Sequence, residues 1–464
     1  MGNSASTPLV NFSINLDVFC LTFAGKDRLR LIMAPDENIR LTGDIISSSW
    51  IIQKTTRSLG LVEFKLKGYP METMGSTETY NFKYLVSKII KNYYELGWAI
   101  EATPCLNQLS TSQIIFKKSK PIDAQIACIC LDGNDLVAVL GPDNMVYSIR
   151  ETLNSFWHKG ILNEFNFSTD VCQWFQFKLI GFPWVSSSNE DFLNGANLVC
   201  EMFKSLEKAG WPYLASIGFS KKSTLFFKFS AENLNQNIEM FPIVLDRVNR
   251  LSVLNSPLKI IDLIRESIKN SWLNGIENES GVANVYEFML SNNPWLCVGP
   301  DSVGSKRIVN KLIECLKLNY YELYTTSDLC SNNKKYSTLF FKKSQNANTE
   351  LSKTLILSFN EANKLRITDD LNAFSDIIKD ACQIGWQRGI KAELNFYGSS
   401  QFELVGCPFK KDPFSKDCVE FIIFMLILFD NLDRYSNLKF VNSIDLYDSM
   451  DPMSNVNALV FQTS

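Results

Sequence analysis

The side chains able to do chemistry are few in this sequence of 464 residues, and their spacing matches no common catalytic or metal site. His158 is the single histidine, which leaves little room for a Ser-His-Asp triad, a Cys-His pair or a multi-histidine metal site. It follows Trp157 near the end of a predicted helix, where histidine is usually a surface or capping residue. The sequence therefore predicts no metal, no cofactor and no catalytic residue. Carboxylate pairs stay open, because sequence does not reveal which acids meet in space.

One segment, residues 299–306, looks like a phosphate-binding loop. It contains Gly299 and Gly304, but Ser305 and Lys306 stand in the reverse of the P-loop order. Pro300 also removes one of the backbone amides that phosphate needs. The other copies of the repeat described below have no equivalent segment. We therefore do not expect a nucleotide site here.

Composition indicates a folded protein of a reducing compartment. The twelve cysteines include no C-x-x-C pair, and the closest two, Cys128 and Cys130, are spaced like neighbours on one face of a strand. We expect free, mostly buried thiols and a cytoplasmic location. The net charge of −3 and the pI of about 5.6 argue against general nucleic-acid binding. The most apolar run, residues 421–429, is too short to span a bilayer, and no secretory signal precedes Leu9.

The dominant pattern is a long repeat. The motif F-x-L-x-G-x-P occupies residues 64–70, 177–183, 288–294 and 402–408, with Asn292 in place of glycine in the third copy. The prolines lie 113, 111 and 114 residues apart. No helix or strand period produces recurrence at that distance, so the pattern indicates four copies of one domain.

Further positions recur around this motif and outline the module. A tryptophan precedes each copy, and in the last three copies a glycine follows it by three residues, which predicts a helix ending on a left-handed glycine. These residues are Trp50, Trp157, Trp272 and Trp386, with Gly160, Gly275 and Gly389. A predicted hairpin opens each copy, and an amphipathic helix after the motif ends at Gly97-Trp98, Gly210-Trp211 or Asn319-Tyr320. Two strands close the copy.

The sequence thus predicts an α+β fold made of four tandem ββαβαββ modules, each with an antiparallel or mixed sheet packed against two helices. We place a flexible tail at residues 1–14 and the modules at residues 15–121, 122–232, 233–346 and 347–464. No long linker separates them, so we expect a compact or semi-rigid array. The apolar helix at residues 419–428 predicts that the fourth module packs against another module.

The N-terminus carries a processing signal. After removal of Met1 the chain starts Gly2-Asn3-Ser4-Ala5-Ser6, which resembles the N-termini of myristoylated cytosolic proteins. The resemblance covers about eight residues and implies an acyl chain on Gly2. A single myristoyl chain binds membranes only reversibly, so a second contact is needed for stable residence.

Recurrent lysine pairs near the closing strands are candidates for that contact. If the modules align, these residues form a basic face toward anionic lipid. They are Lys117, Lys118, Lys221, Lys222, Lys334 and Lys335. The alternative is that the lysines keep strand ends solvated, and this is the interpretation we prefer.

The turn that ends the repeated motif is a candidate recognition site. Trp184 follows Pro183 and Trp295 follows Pro294, and a half-exposed aromatic beside a proline turn can anchor a partner. The same tryptophans can instead close one end of the core, which is the interpretation we favour.

These observations lead to a hypothesis of function. We expect a non-enzymatic scaffold or adaptor, N-myristoylated and peripheral on the cytosolic face of a membrane, with an unknown protein partner and no nucleic acid or metal. The main alternative is a protein that binds a lipid or another small molecule in apolar module pockets. An enzyme with carboxylate or thiol chemistry is the third possibility.

Overall fold

The computed structural model describes most of the chain. The described residues form eight α-helices and 25 strands, arranged as four consecutive modules. They are residues 16–58, 60–71, 76–106, 111–169, 171–185, 189–219, 222–234, 237–246, 248–296, 299–327, 329, 337–344, 353–369, 374–409, 412–446 and 456–463.

The first two modules have the same order of elements. The first module contains β1 (Val18–Ala24), β2 (Arg28–Ile32), α1 (Asp36–Ser49), β3 (Ile52–Ser58), β4 (Leu61–Leu66), α2 (Thr77–Glu95), β5 (Trp98–Ala102), the short β6 (Cys105–Leu106) and β7 (Thr111–Lys118). The second contains β8 (Ile126–Asp132), β9 (Leu136–Leu140), α3 (Asp143–Phe156), β10 (Ile161–Ser168), β11 (Gln173–Leu179), α4 (Asn189–Lys208), β12 (Tyr213–Phe219) and β13 (Lys222–Lys228).

The last two modules repeat that order. The third contains β14 (Met240–Asp246), β15 (Arg250–Leu254), α5 (Leu258–Ser271), β16 (Ile276–Val282), β17 (Val285–Leu290), α6 (Pro300–Leu318), β18 (Tyr321–Ser327) and β19 (Ser337–Lys343). The fourth contains β20 (Thr354–Asn360), β21 (Lys364–Thr368), α7 (Ser375–Gly385), β22 (Ile390–Phe396), β23 (Ser399–Leu404), α8 (Lys416–Ser436), β24 (Leu438–Leu446) and β25 (Val456–Thr463).

Each module is one antiparallel sheet with two helices on one face. In the first module the strand order is β3-β4-β2-β1-β7-β5, with β6 added beside β7, and the other three sheets repeat the six-stranded order. The α+β class with four tandem repeats is therefore confirmed. The order within a module is ββαββαββ rather than the expected ββαβαββ, because two strands and not one lie between the two helices.

The additional strand lies at the edge of each sheet. We call β3, β10, β16 and β22 the outer edge strands, and the strands at the opposite edge, β5, β12, β18 and β24, the inner edge strands. Most residues of the outer edge strands are exposed. Such strands lack the apolar alternation that reveals a half-buried strand, which is why sequence patterns missed them.

The recurring tryptophan joins the first helix to the repeated motif. Its indole Nε1 donates a hydrogen bond to the carbonyl of the residue after the motif leucine, over 2.8 to 3.1 Å in the four modules. The bonds run from Trp50 to Lys67, from Trp157 to Ile180, from Trp272 to Ser291 and from Trp386 to Val405. A buried indole needs such a partner, so this position is held in every copy by both packing and polarity.

The motif glycine is required by backbone conformation. Gly68, Gly181 and Gly406 have φ angles of 83°, 88° and 89°, and Asn292 has a φ of 61°. Positive φ suits glycine, and asparagine is one of the few other residues that adopts it readily. Asn292, the one exception in the repeated motif, therefore keeps the positive φ angle of the glycines it replaces.

Two predicted helix ends are shifted. The first helix of the last three modules ends at the tryptophan itself, and Gly160, Gly275 and Gly389 lie in the turn that follows. In the third module Tyr320, with a φ of 69°, occupies the position of Gly97 and Gly210, so Tyr321 rather than Tyr320 matches the tryptophans. A tyrosine in the left-handed region is strained.

The modules form a closed ring. The second helix of each module covers the far face of the next sheet: α2 packs on β8, α4 on β14, α6 on β20, and α8 returns to β1 and β2. The last contact places Cys418 of α8 near Cys20 and joins α8 to Cys20 and Ile115 of the first sheet in one apolar cluster. The prediction that the apolar helix of the fourth module packs against another module is confirmed.

Two of the predicted module boundaries fall between the last strand of one module and the first strand of the next. The boundary between residues 121 and 122 lies between β7 and β8, and the boundary between 232 and 233 lies within a short 3-10 helix. The boundary between 346 and 347 and the tail at residues 1–14 lie outside the described residues. Among the helices described, including α8, none has the length and apolar character needed to cross a bilayer.

Replacing Tyr320 with glycine should stabilise the protein. Glycine removes the left-handed strain, so we expect the Tyr320→Gly variant to unfold at higher urea, with a gain of about 1 kcal/mol. Asn437, with a φ of 53°, is the matched control in the fourth module, and Asn437→Gly should change stability by only a few tenths of that amount. Equal or lower stability of Tyr320→Gly would contradict the strain argument.

Candidate functional site

The inner edge strands meet at the centre of the ring, and each has a β-bulge at the same place. The pairing register slips between Ile100 and Ala102 in β5, and the other three inner edge strands slip at the matched positions. The residues left out of the pairing are Glu101, Leu214, Tyr324 and Val441. A bulge redirects a side chain away from the ladder, and bulges are common beside functional sites.

These four bulge residues line one cavity, which we call the axial cavity. It has a volume of about 180 Å³ and is lined by residues of all four inner edge strands and the residue after β5. The lining consists of Ile100, Glu101, Ala102, Thr103, Tyr213, Leu214, Tyr324, Phe440, Val441 and Asn442. Each module thus contributes its bulge to a single site that no module has alone.

Polar contacts fix the strands around the axial cavity. The Tyr324 hydroxyl oxygen accepts the backbone N–H of Tyr213 at 2.9 Å, which ties the third module to the second. Thr326 donates its hydroxyl to the Asn442 side-chain oxygen at 2.9 Å and to the Ser443 carbonyl at 2.6 Å. These bonds cross module boundaries, so the cavity shape depends on ring closure.

Glu101 is the single charged residue of the cavity lining. Burial raises the pKa of its carboxyl group, Lys117 and Lys439 lower it, and Asp433 raises it further. Lys117 itself pairs with Asp433 of α8. The lining thus holds one carboxylate and not the acid pair that glycoside hydrolysis requires.

A second polar cluster lies buried between the first two modules. Lys83 of α2 contacts both carboxylate oxygens of Asp132 at 3.3 and 3.4 Å, and each side chain is 5% exposed. Tyr80 donates to Asp132 at 2.8 Å and accepts from Gln176 at 2.9 Å. Burial by itself would lower the pKa of Lys83, but the neighbouring Cys130 and Asp132 raise it above its usual value.

This cluster serves module packing. Lys306 of α6 occupies the position of Lys83 and is also buried, with Asn360 in the place of Asp132. The Lys306 ammonium donates to the Ser302 carbonyl at 2.8 Å. Residues 299–306, which resemble a phosphate loop, therefore form the start of a helix whose lysine is buried and donates to a carbonyl of the same helix.

The thiols have little nucleophilic character. Six of the nine cysteines whose burial is described are buried, and all nine are free thiols. Burial raises the pKa of Cys200 to about 12 and that of Cys418 to about 11. Cys130 differs, since Cys128 and Lys83 lower its pKa against the effect of burial, but its side chain is enclosed between two modules. The expected buried thiols are thus found.

The candidate recognition turn does not present its tryptophans to solvent. Trp184 and Trp295 are 0% and 5% exposed, and Pro183 and Pro294 are buried. The indole groups donate to the carbonyls of Leu136 at 3.1 Å and Arg250 at 2.9 Å. The matched residues Met71 and Phe409 are buried as well. The burial of these turns agrees with the favoured interpretation, in which the tryptophans close one end of the core.

The described members of the candidate basic face are not brought together. Lys117 and Lys118 end β7, whereas Lys222 begins β13, so the two pairs lie at opposite ends of equivalent strands. Lys117 is moreover paired with Asp433. Lys221, Lys334, Lys335 and the acylation candidate Gly2 lie outside the described residues. His158 is exposed beside Trp157.

The axial cavity was missed by sequence reasoning. A bulge is defined by pairing with a neighbouring strand, and pairing is not visible in one sequence. A partial signal exists in hindsight: each bulge residue follows the end of the second helix by the same interval. Glu101 is four residues after Gly97, and Tyr324 is four residues after Tyr320.

Comparison with known proteins finds the repeat again. One domain family model matches the chain four times, at residues 17–113, 125–233, 239–342 and 353–462. No curated protein matches the chain, and no solved structure matches it.

Removing the buried carboxylate of Asp132 should lower the free energy of unfolding. Asp132→Ala leaves Lys83 buried without its partner, so we expect a loss of about 3–5 kcal/mol in the free energy of unfolding. The double variant Lys83→Met/Asp132→Leu replaces the pair with apolar groups and should recover most of that loss. Glu266→Ala, which removes an exposed pair with Lys269, serves as the control and should change stability by less than about 0.5 kcal/mol. Urea unfolding measures all three.

Thiol reactivity should follow burial. At pH 8 we expect iodoacetamide to modify the exposed Cys407 in the folded protein, while Cys200, whose pKa is about 12, stays unmodified until urea is added. Peptide mass spectrometry identifies the modified residues. Rapid modification of Cys200 without urea would contradict the packing of α4 against the third sheet.

Proposed function

The chain belongs to the domain family whose model matches it four times, and on that premise we propose that it is a non-enzymatic scaffold or adaptor. In this proposal the protein is N-myristoylated at Gly2 and lies on the cytosolic face of a membrane. The ring positions several binding edges at fixed distances, and protein partners pair with those edges.

The observation that carries the proposal is the exposed outer edge strand of every module. An edge strand offers unpaired backbone N–H and C=O groups, and extended peptides bind such edges by adding a strand. The four strands differ in chemistry: β3 carries Lys54 and Arg57, whereas β16 carries Glu277 and Glu279. One ring therefore offers four edges of related backbone geometry and different side-chain specificity.

The outer edge strand of the second module is the strongest candidate. Its Leu162 is 60% exposed and its Phe165 is 42% exposed, although both are large and apolar. Ile180 and Phe182, which follow the neighbouring strand β11, are 43% and 52% exposed. Exposed apolar residues that share one sheet edge are typical of protein interaction surfaces.

Ring closure supports a scaffold because it makes the edges rigid relative to one another. Partners bound to neighbouring modules are held at a high effective concentration, and no linker has to be ordered on binding. The catalytic alternatives receive no comparable support: the cavity at the axis has one carboxylate in its lining, and burial raises the pKa values of Cys200 and Cys418.

The membrane part of the proposal depends on the sequence of residues 1–6, which matches the myristoylation motif. Binding of a small molecule is the second candidate function. It is favoured by one observation, the convergence of the four bulges on a cavity of about 180 Å³. Native mass spectrometry of the purified protein tests it, because a molecule held there adds a discrete mass.

Exposed residues of β10 should be needed for protein partners and not for folding. We expect proximity labelling in cells to lose a set of neighbours with Leu162→Lys/Phe165→Lys, while the melting temperature changes little because both side chains are exposed. Leu273→Lys is the matched control: Leu273 is fully exposed but lies outside the edge strands, and its neighbour set should equal that of the wild type.

The same experiment with Gly2→Ala tests the membrane part. We expect membrane proteins to disappear from its neighbour set. Identical sets for wild type and Gly2→Ala would remove the lipid anchor from the proposal. Identical sets for wild type and the β10 variant would remove that edge as a binding surface.

A further inference from the structure

The first module contains a larger cavity that the proposed function leaves without an occupant. This cavity, which we call the rim pocket, has a volume of about 340 Å³. It lies between the end of β2, the start of α1 and the turn from β3 to β4. Six of its ten lining residues are apolar, and the other four are Gly60, Ser58, Asp36 and Arg57. The apolar six are Leu31, Met33, Ala34, Ile39, Leu61 and Val62. Its volume falls at the lower end of the range of about 300–1,000 Å³ that is typical of small-molecule sites.

The N-terminal segment enters the fold at the same end of the sheet as the rim pocket. Strand pairing places Cys20 of β1 opposite Ile32 of β2, and Ile32 opposite Leu61 of β4. The chain before Val18 therefore emerges two strand spacings from Leu61, a distance of about 10 Å. Residues 2–15 reach up to about 45 Å when extended, so Gly2 can be placed at the pocket.

Both features border one apolar cluster. Leu16, the first described residue, packs against the cluster formed by the far face of the first sheet and helix α8. Met33 and Leu61, which line the rim pocket, pack against the same cluster. The route from the N-terminal segment to the pocket thus follows an apolar surface at the junction of the first and fourth modules.

We propose that the rim pocket holds the myristoyl chain of Gly2 when the protein is off the membrane. The inference rests on the proposed function, because it presupposes acylation. In that reaction the Gly2 amine displaces the thiol of a myristoyl thioester, an amide bond forms, the C–S bond breaks and the sulfur takes the proton. The acyl chain then has two apolar environments, the rim pocket and the bilayer.

This competition makes membrane binding adjustable. A single myristoyl chain binds bilayers marginally, so a pocket that holds it even part of the time lowers the apparent affinity by the fraction of molecules with a free chain. Gly60, which lines the pocket, lies beside Ile423 of α8. The pocket therefore borders the interface between the first and fourth modules.

Filling the rim pocket with a large side chain should expose the myristoyl chain. Ala34→Trp places an indole in the pocket, and Ser256→Trp is the matched control, since Ala34 and Ser256 each precede the proline that caps the first helix of their module. The full chain is co-expressed with an N-myristoyltransferase and sedimented with phosphatidylcholine vesicles. If the myristoyl chain is outside the pocket in one wild-type molecule in ten, we expect Ala34→Trp to bind vesicles up to about tenfold more than wild type. Ser256→Trp should bind like wild type.

Intact mass and a second variant separate the outcomes. A mass without the acyl group contradicts both the lipid anchor and this inference, whereas an acylated Ala34→Trp protein that binds like wild type overturns the inference alone. The double variant Gly2→Ala/Ala34→Trp must lose vesicle binding. If it still binds, the indole itself inserts into the bilayer and the assignment fails. If Ala34→Trp does not fold, Ser58→Trp at the exposed end of β3 fills the pocket instead. A lipid co-purified with Gly2→Ala would assign the pocket to a diffusible ligand and overturn the proposal.

Discussion

The packing of each second helix on the next module's sheet is the interaction on which the rest of the structure depends. A sheet of this kind has two apolar faces, and its own helices cover only one. Residues of the other face, such as Cys20 and Ile115, are buried only because α8 lies on them. Open arrays of repeats need polar terminal caps to protect their end faces. Here the fourth module returns to the first, so closure takes the place of a cap.

Closure of the ring also determines where candidate binding sites can lie. With both faces of every sheet covered, the backbone groups that remain available lie at the sheet edges. The inner edges converge, and their bulges place Glu101, Leu214, Tyr324 and Val441 around one cavity. The outer edges point away from it and keep their backbone groups free for a partner strand. The candidate sites are thus consequences of the ring rather than properties of one module.

The four interfaces alternate in chemistry. The helices of the first and third interfaces carry the buried Lys83 and Lys306, whereas Ala196 and Ile423 occupy the matched helix positions at the second and fourth. The sheet that receives Lys83 supplies Asp132, and the one that receives Lys306 supplies Asn360 at the same place. A lysine-bearing helix on an apolar sheet would bury an uncompensated charge. The alternation is a property of the helices, because the third sheet, which receives Ala196, also ends its first strand on an acid, Asp246.

The sequence by itself determined the number of modules, their α+β class and the helices, because the periods of apolar residues and the glycine and tryptophan positions are local signals. It also indicated that the helix at residues 419–428 covers another module. Tertiary structure alone decided the outer edge strands, the bulges and the ring. A strand such as β16 is mostly exposed and carries no apolar pattern, and a bulge exists only relative to its partner strand. Closure depends on contacts such as Lys117 with Asp433, which are 316 residues apart, and no local pattern encodes such a distance.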